Sequence, residues 1–435
     1  MSRLSELSKN VVQANVFTFN GAPVSPVSSF TYPLANNYVQ VGDAQTLAGN
    51  SVLSYMQAAF SGDNSLFAVT KTTNAAYNAT SFLVYRDTSP PTKTFSLVAN
   101  IPIPYATPGT TRLVTTVNAN GGLVAVVGNN TDSSLGLSNG SFNIFTRPST
   151  ASNAWTLAKT ARSNVPSQQL GAAVAISADG SVIAIGAPGT NTDAGAVFVY
   201  TYNAVLNTLV FQTQLVGTGA IGAASQGFAV QISSDGKTIV SSGVTDNGGV
   251  GAIWTFTQNS NGTWSQVGSK VVPTGLYPVN AAVGLSLALS GDATTMAVAV
   301  PFNTLVLNTG CVVVYNLVDG AWKQGETIYP LAASGNVNPP TLAPVWLNQS
   351  GDTLGFSLGN NNDTQGATFV YNVSPETGLW VGNGVARIGT GAPIPVPGNE
   401  TQGLAAMSPD GSLVLVLAFS TIPANNDPTY FWVFA

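Results

Sequence analysis

The chain has 435 residues, with 13 Lys or Arg, 18 Asp or Glu and no His, so its net charge is −5 and only 7% of it is charged, against roughly 25% in an ordinary soluble domain. A hydrophobic content of 44% is enough for a large core, and 45 Gly with 25 Pro stay short of a low-complexity chain. Without His there can be no Ser-His-Asp or Cys-His arrangement and no His-ligated zinc or haem, and 13 dispersed basic residues give no footprint for nucleic acid.

The first 34 residues read as an N-terminal arm. Leu4, Leu7 and Val11 fall on one face of a short helix, and Pro23 and Pro26 favour extended chain after it. The arm lacks the continuous apolar stretch of a signal peptide, and no window of the chain approaches about 18 uninterrupted apolar residues. Neither a secretion signal nor a transmembrane segment is therefore expected, and the expected location is a virion or an extracellular surface.

From residue 35 to the end the chain repeats. VAISADGSVIAIGAP (residues 174–188) is an apolar alternating run, an Asp-Gly turn and a second alternating run. Asp-Gly between such runs signals a hairpin, with a type I′ turn expected. Equivalent hairpins centre near residues 63, 120, 179, 235, 292, 352 and 410, at intervals of 56 to 60. Each is followed by a polar loop and a third strand with aromatic residues, such as residues 196–202, 252–258, 311–317 and 367–373. A fourth strand then often carries a Trp: Trp155, Trp264, Trp322 or Trp380. Four antiparallel strands in seven units predict an all-β, seven-bladed β-propeller, with those Trp residues packing between blades.

The last unit ends on its third strand, and residues 38–45 stand where a fourth strand would precede the first hairpin. The ring is therefore expected to close by pairing this N-terminal strand with the strand of Phe431 and Val433, which covers two open sheet edges. Cys311 lies in an apolar run and reads as a buried, inert thiol that can form neither an internal disulfide nor a Cys-rich metal site. The eight Asn-x-Ser/Thr sequons (Asn78, Asn129, Asn139, Asn261, Asn348, Asn362, Asn372 and Asn399) are about what chance gives in so Asn-, Ser- and Thr-rich a chain.

GAPG at residues 186–189 followed by DAGAVFVY at 193–200, with GTWSQ at 262–266 and GAWKQ at 320–324, resembles the FG-GAP repeat of integrin α-type propellers. The resemblance covers residues from about 50 to 435, loosely in the first two units. It implies a seven-bladed propeller with roles in adhesion and ligand binding. Integrin-type repeats carry an Asp-rich calcium loop that is here reduced to Asp-Gly or Gly-Asp. One carboxylate in a tight turn cannot supply the ~6–8 oxygens calcium takes, so no metal and no cofactor are expected.

Six of the 18 carboxylates are turn formers: Asp63, Asp179, Asp235, Asp292, Asp352 and Asp410. The next set, Asp132, Asp193, Asp246, Asp363 and Asp427, lies in the loops after the second strands, with Asn191, Asn247 and Asn362 beside them. Alternating strand direction places these loops on the face opposite the hairpin turns, as a polar, mildly acidic rim. Variable loops on a rigid scaffold are where recognition is placed, so partner or glycan binding is expected there. Leu305, Val306 and Leu307 either add an apolar contact on that face or fold over the channel. Charge reversal of Asp193 and Asp246 should weaken binding and spare the melting temperature. No catalytic dyad is expected.

Few charges and an abundance of Ser, Thr and Asn look extracellular, while no secretion signal is seen. This mismatch points first to a non-enzymatic structural protein of a large particle, a virion, capsid-associated or a spike, using a propeller face for contact. The expected partners are other particle proteins or a cell-surface protein or glycan, with no nucleic acid and no membrane insertion. An extracellular adhesion or carbohydrate-binding propeller is the alternative. A carbohydrate-active enzyme comes third, because charges are few and His is absent.

Overall fold

Strands with both faces covered read as continuous apolar runs, and the runs found in this sequence form sheets that pack face to face around a ring. The computed structural model of the chain describes residues 18–19, 22–23, 39–41, 45–50, 58–72, 80–89, 93–105, 113–131, 138–275, 280–301, 310–329, 344–358, 367–382, 400–420 and 428–435. The chain divides into two units, residues 1–37 and 38–435. In the first, β1 (Thr18–Phe19) pairs with β2 (Ala22–Pro23); the helix expected around Leu4, Leu7 and Val11 lies outside the described residues.

The second unit is a seven-bladed propeller of four-stranded antiparallel sheets. It opens with β3 (Gln45–Asn50). Blade 1 holds β4 (Ala58–Phe60), β5 (Leu66–Thr72), β6 (Thr80–Asp87) and β7 (Phe95–Pro102), and blade 2 holds β8 (Leu113–Val117), β9 (Val124–Asn129), β10 (Ser141–Thr146) and β11 (Thr156–Arg162). Blade 3 is β12 (Ala173–Ile176), β13 (Val182–Ala187), β14 (Ala196–Asn203) and β15 (Thr208–Leu215). Blade 4 is β16 (Gln226–Ile232), β17 (Thr238–Gly243), β18 (Ala252–Gln258) and β19 (Trp264–Gln266). Blade 5 follows as β20 (Leu287–Leu289), β21 (Thr295–Val300), β22 (Cys311–Val318) and β23 (Ala321–Ile328), and blade 6 as β24 (Trp346–Leu347), β25 (Thr353–Leu358), β26 (Ala367–Val373) and β27 (Trp380–Gly382). Blade 7 takes β28 (Glu400–Met407), β29 (Val414–Ser420) and β30 (Pro428–Phe434) from the C-terminus and β3 from the N-terminus.

Ring closure thus follows the expected plan with a shifted strand. Gln45 pairs with Phe431 and Thr46 with Tyr430, Val41 N–H donates to Val433 O, and Val39 exchanges backbone bonds with Ala435. The strand proper begins where residues 38–45 end and runs on to Asn50.

The core lies between blades. In β13, Ile183 and Ile185 pack with blade 2, while Ala184 packs with Trp254 and Phe256 of blade 4; the period-2 alternation of a strand supplies both faces. The outer-strand Trp residues act as packing residues. Trp155 meets Phe82 of blade 1 edge-on at 5.7 Å, and Trp322 Nε1 donates to Thr255 Oγ1 of blade 4. Cys311 is buried in the core between blades 4 and 5. Of the sequons, Asn129, Asn139 and Asn348 have buried side chains.

The hairpin turns differ from the expected type I′. Asp179 is not in the left-handed region and only Gly180 is, at φ 81°. The turn is wider, and side chains pin it. Ser61, Ser177, Ser233 and Ser290 each donate to the following Asp at 2.6 Å, and Ser408 to Asp410 at 2.7 Å. The same hydroxyls accept the N–H five residues on, from Leu66, Val182, Thr238, Thr295 and Leu413. In blades 2 and 6 amide oxygens take this place: Asn118 accepts from Val124 N–H, six residues on, and Asn348 from Thr353 N–H, five residues on. In blade 6 Ser350 therefore stands at the Asp179 position, and Asp352 sits two residues later than the spacing suggested.

Neighbouring turns are also stitched into a belt. Gly62 donates to Ala119 O, Asn120 to Ala178 O, Ala178 to Ser234 O, Ser234 to Gly291 O, Gly291 to Gln349 O and Gln349 to Pro409 O. The seventh link cannot be of this kind, because Pro409 has no N–H. The side chain of Asn64 makes it instead, donating from Nδ2 to Asp410 Oδ2 at 2.8 Å and Ser412 Oγ at 3.0 Å.

Burial works to raise the carboxyls of Asp63, Asp179, Asp292, Asp352 and Asp410, but the hydrogen bonds from hydroxyls, amides and backbone N–H groups together outweigh it and hold all five below the usual value. A folded-state value below the unfolded ~3.9 contributes stability above that pH, lost as pH falls through the folded value. Tm is therefore expected to drop below about pH 4. An Asp179→Asn/Asp292→Asn/Asp410→Asn variant should melt lower at neutral pH and show a shallower acid fall. Identical slopes in the two proteins would exclude the turns as the source.

Candidate functional site

The loops between second and third strands, with the connections between blades, form the face opposite the belt of turns. Of the expected rim, Asp132, Asp363, Asn362 and Asp427 lie outside the described residues, as do Leu305, Val306 and Leu307. Asp193, Asn191, Asp246 and Asn247 are described, in blades 3 and 4.

Both loops wind the wrong way for L-residues. Asn191, Thr192 and Asp193 have φ of 53°, 57° and 64°, and Asn247, Gly248 and Gly249 have φ of 51°, 67° and 87°. Glycine takes this region freely, but Asn191, Thr192 and Asp193 in blade 3 and Asn247 in blade 4 store strain of order 1–3 kcal/mol each, held here by cross-blade bonds. Asp193 O accepts from Ser225 N–H at 2.8 Å and Ala194 O from Gln226 N–H at 3.0 Å, while Asn247 N–H donates to Ile221 O at 2.9 Å.

The two aspartates have different fates. Asp193, Asn191 and Asn247 are exposed, as expected of a rim. Asp246 is not a rim residue, because its side chain is fully buried. Its Oδ1 accepts Ile221 N–H at 2.7 Å, and its Oδ2 pairs with Lys270 Nζ, whose side chain is 15% exposed. Charge reversal at Asp246 would bury two cations together, so it cannot spare the fold as first expected. Two further polar atoms of this region are buried without a partner: Thr190 Oγ1 and Gln226 Nε2. Gln226 uses its Oε1 to accept Gly217 N–H at 2.7 Å. Val216 and Ile221, on the same connection, are 46% and 54% exposed. Blades 3 and 4 thus present an exposed carboxylate, a cation anchored from below, and an apolar shoulder.

Lys270 and Gln226 were missed in the sequence; a Lys in so charge-poor a chain was the available signal. Among the described residues no group of three or more His, Cys, Asp or Glu is placed to hold a metal ion, and no helix is long and apolar enough to cross a membrane.

No protein-family profile matches the chain, and no curated protein matches it in sequence. Solved structures share its fold. A periplasmic gluconolactonase from Pseudomonas aeruginosa is similar with a TM-score of 0.53 at 15% identity, over 85% of this chain and 99% of that one. A candidate 6-phosphogluconolactonase from Bacteroides fragilis is similar with a TM-score of 0.52 at 14% identity, over 84% and 94%. A chain of the mitotic checkpoint complex is similar with a TM-score of 0.53 at 15% identity, over 93% and 98%. At such identities the likeness is one of fold. It still corrects the expectation of a non-enzymatic virion or adhesion protein. That expectation ranked an enzyme last on composition, and the fold is one that carbohydrate lactonases use. The virion, capsid and adhesion assignments are withdrawn with it.

Proposed function

We propose that this protein is a carbohydrate-active hydrolase that opens sugar lactones on the loop face of blades 3 and 4. The observation that carries this is the placement of Asp193 and Lys270: an exposed carboxylate on a strained turn in one blade, and a cation fixed by buried Asp246 in the next. Lactone opening needs a base to take a proton from water as it attacks the ring carbonyl, and positive charge near the oxygen that becomes negative. Asp193 has the chemistry for the first role and Lys270 for the second. Asp246 is a positioning residue. The acyl C–O bond of the ring breaks, and the proton taken from water passes to the departing ring oxygen, leaving an open-chain sugar acid. The names of the gluconolactonase and of the candidate 6-phosphogluconolactonase support the substrate class.

The test measures hydrolysis of gluconolactone and 6-phosphogluconolactone against the spontaneous rate. Catalysis is expected with at least one of them, and Asp193→Asn, at an exposed position, should lower kcat about 100-fold or more with Tm unchanged. No acceleration of either lactone, or full activity in Asp193→Asn, would overturn the assignment.

A further inference from the structure

Where the hairpin-turn face joins blades 1 and 2, two arginines converge with no direct ion-pair partner among the described residues. Arg147, just after β10, is 4% exposed. It donates from Nε to Gly122 O at 2.8 Å, from Nη2 to Gly121 O at 2.7 Å, and from Nη1 to Thr150 O at 2.9 Å and Ser152 O at 3.2 Å. Its guanidinium carbon lies 5.5 Å from the Trp155 ring centroid. Arg86, at the end of β6, donates from Nη2 to the same two oxygens, Thr150 O at 2.7 Å and Ser152 O at 3.1 Å. The two guanidiniums are thus held side by side through shared acceptors.

Neither arginine forms an ion pair among the described residues. Asp63, the carboxylate whose charge reaches Arg147, already accepts from Ser61 Oγ at 2.6 Å and Ser65 N–H at 3.0 Å. Asp87, next to Arg86 in sequence, pairs with Lys93 at 3.3 Å. Burial, and after it the charge of Arg86, lower Arg147 to about 10, with Asp63 pulling the other way. Donors are also in excess: Arg86 Nε and Trp155 Nε1 are both buried with no acceptor. Unpaired buried donors and adjacent like charges each cost free energy, and a single bound anion would relieve both.

We propose that Arg86 and Arg147 form a site for a tetrahedral oxyanion, a phosphate either free or carried as a monoester. Arg147 is the rigid member, locked onto four carbonyls. Arg86 is the half-buried member whose Nε remains to be used, and a guanidinium fork matches phosphate oxygens. The site lies on the opposite face from Asp193 and Lys270 and does not depend on the lactone assignment.

The test is calorimetric titration of the full chain with inorganic phosphate, with glycerol phosphate and with acetate, at fixed ionic strength. Saturable one-to-one phosphate binding is expected, with a phosphate-dependent rise in Tm. Arg86→Gln should weaken it at least ten-fold. Arg86→Lys, which keeps the charge, guards against loss of fold and should bind at an intermediate level. Tighter binding of glycerol phosphate would identify a ligand-borne phosphate, and equal binding a free anion. Absence of saturable phosphate binding, acetate binding as tightly as phosphate, or unchanged affinity in Arg86→Gln would reduce the pair to a staple of carbonyl groups.

Discussion

A protein starting at residue 51 is expected to melt about 10 °C or more below one starting at residue 38, and to self-associate. The segment between these starts contains all of β3, the fourth strand of blade 7, and residues 39–41, which bond to Val433 and Ala435. Gln45 also ties the closing strand to blade 1, its Oε1 accepting Phe95 N–H at 3.2 Å. Each backbone hydrogen bond lost contributes roughly 0.5–1.5 kcal/mol, so a strand's worth amounts to about 5 kcal/mol before any packing is counted. The cut also bares the edge of β30, a strand that carries Tyr430, Phe431 and Trp432, all buried in the intact ring. An uncapped, apolar edge templates pairing with another chain. Coincident melts of the two proteins, with both monomeric, would mean that the ring does not depend on β3.

The propeller was legible because its signals are local. Turn chemistry acts over two to five residues, and the alternation of apolar positions repeats at every hairpin. The errors arise where locality fails. Centring the blade 6 hairpin on Asp352 puts it two residues late, because Ser350 occupies the usual Asp place while Asp352 sits nearby and takes part in the same network. The type I′ expectation missed the hydroxyl of Ser177, which widens the turn by bonding Asp179 and the N–H of Val182. In the loops, Asp193 and Asp246 occupy matching places after the second strand. What buries one and exposes the other is Lys270, 24 residues further on, together with the N–H of Ile221 from the preceding connection. No sequence window holds all three. Arg86 and Arg147 likewise meet only because adjacent blades bring their turns together.

Scarcity of charge argued against an enzyme, and that inference confuses an average with a site. A hydrolytic centre uses a few charged groups, and a chain with 13 basic and 18 acidic residues has enough to place two or three of them on one face. In so neutral a protein each charge that is retained and desolvated carries more information than in an ordinary one. The two side-chain clusters singled out above are of this kind.

The Asp246–Lys270 pair gives the sharpest expectation of that sort. Lys270→Met should cost about 3–5 kcal/mol, because it leaves a fully buried carboxylate with Ile221 N–H as its remaining described partner. An exposed ion pair, by contrast, is worth about 0–1 kcal/mol. The double variant Asp246→Asn/Lys270→Met removes the charge and its counter-charge together, and the amide oxygen can still accept from Ile221. Most of the lost stability should therefore return, so that the second substitution restores what the first removed. Such a sign change in a double-mutant cycle separates a coupled buried pair from two independent surface groups. Additive losses, or a Lys270→Met protein that melts with the parent, would show that Asp246 is solvated in solution and that Lys270 is not anchored. The anchoring matters for the proposed chemistry, since a cation free to swing could not be held in place near a developing oxyanion. The double variant, folded but without the cation, should then be stable and slow on lactone, which distinguishes loss of the catalytic charge from loss of the fold.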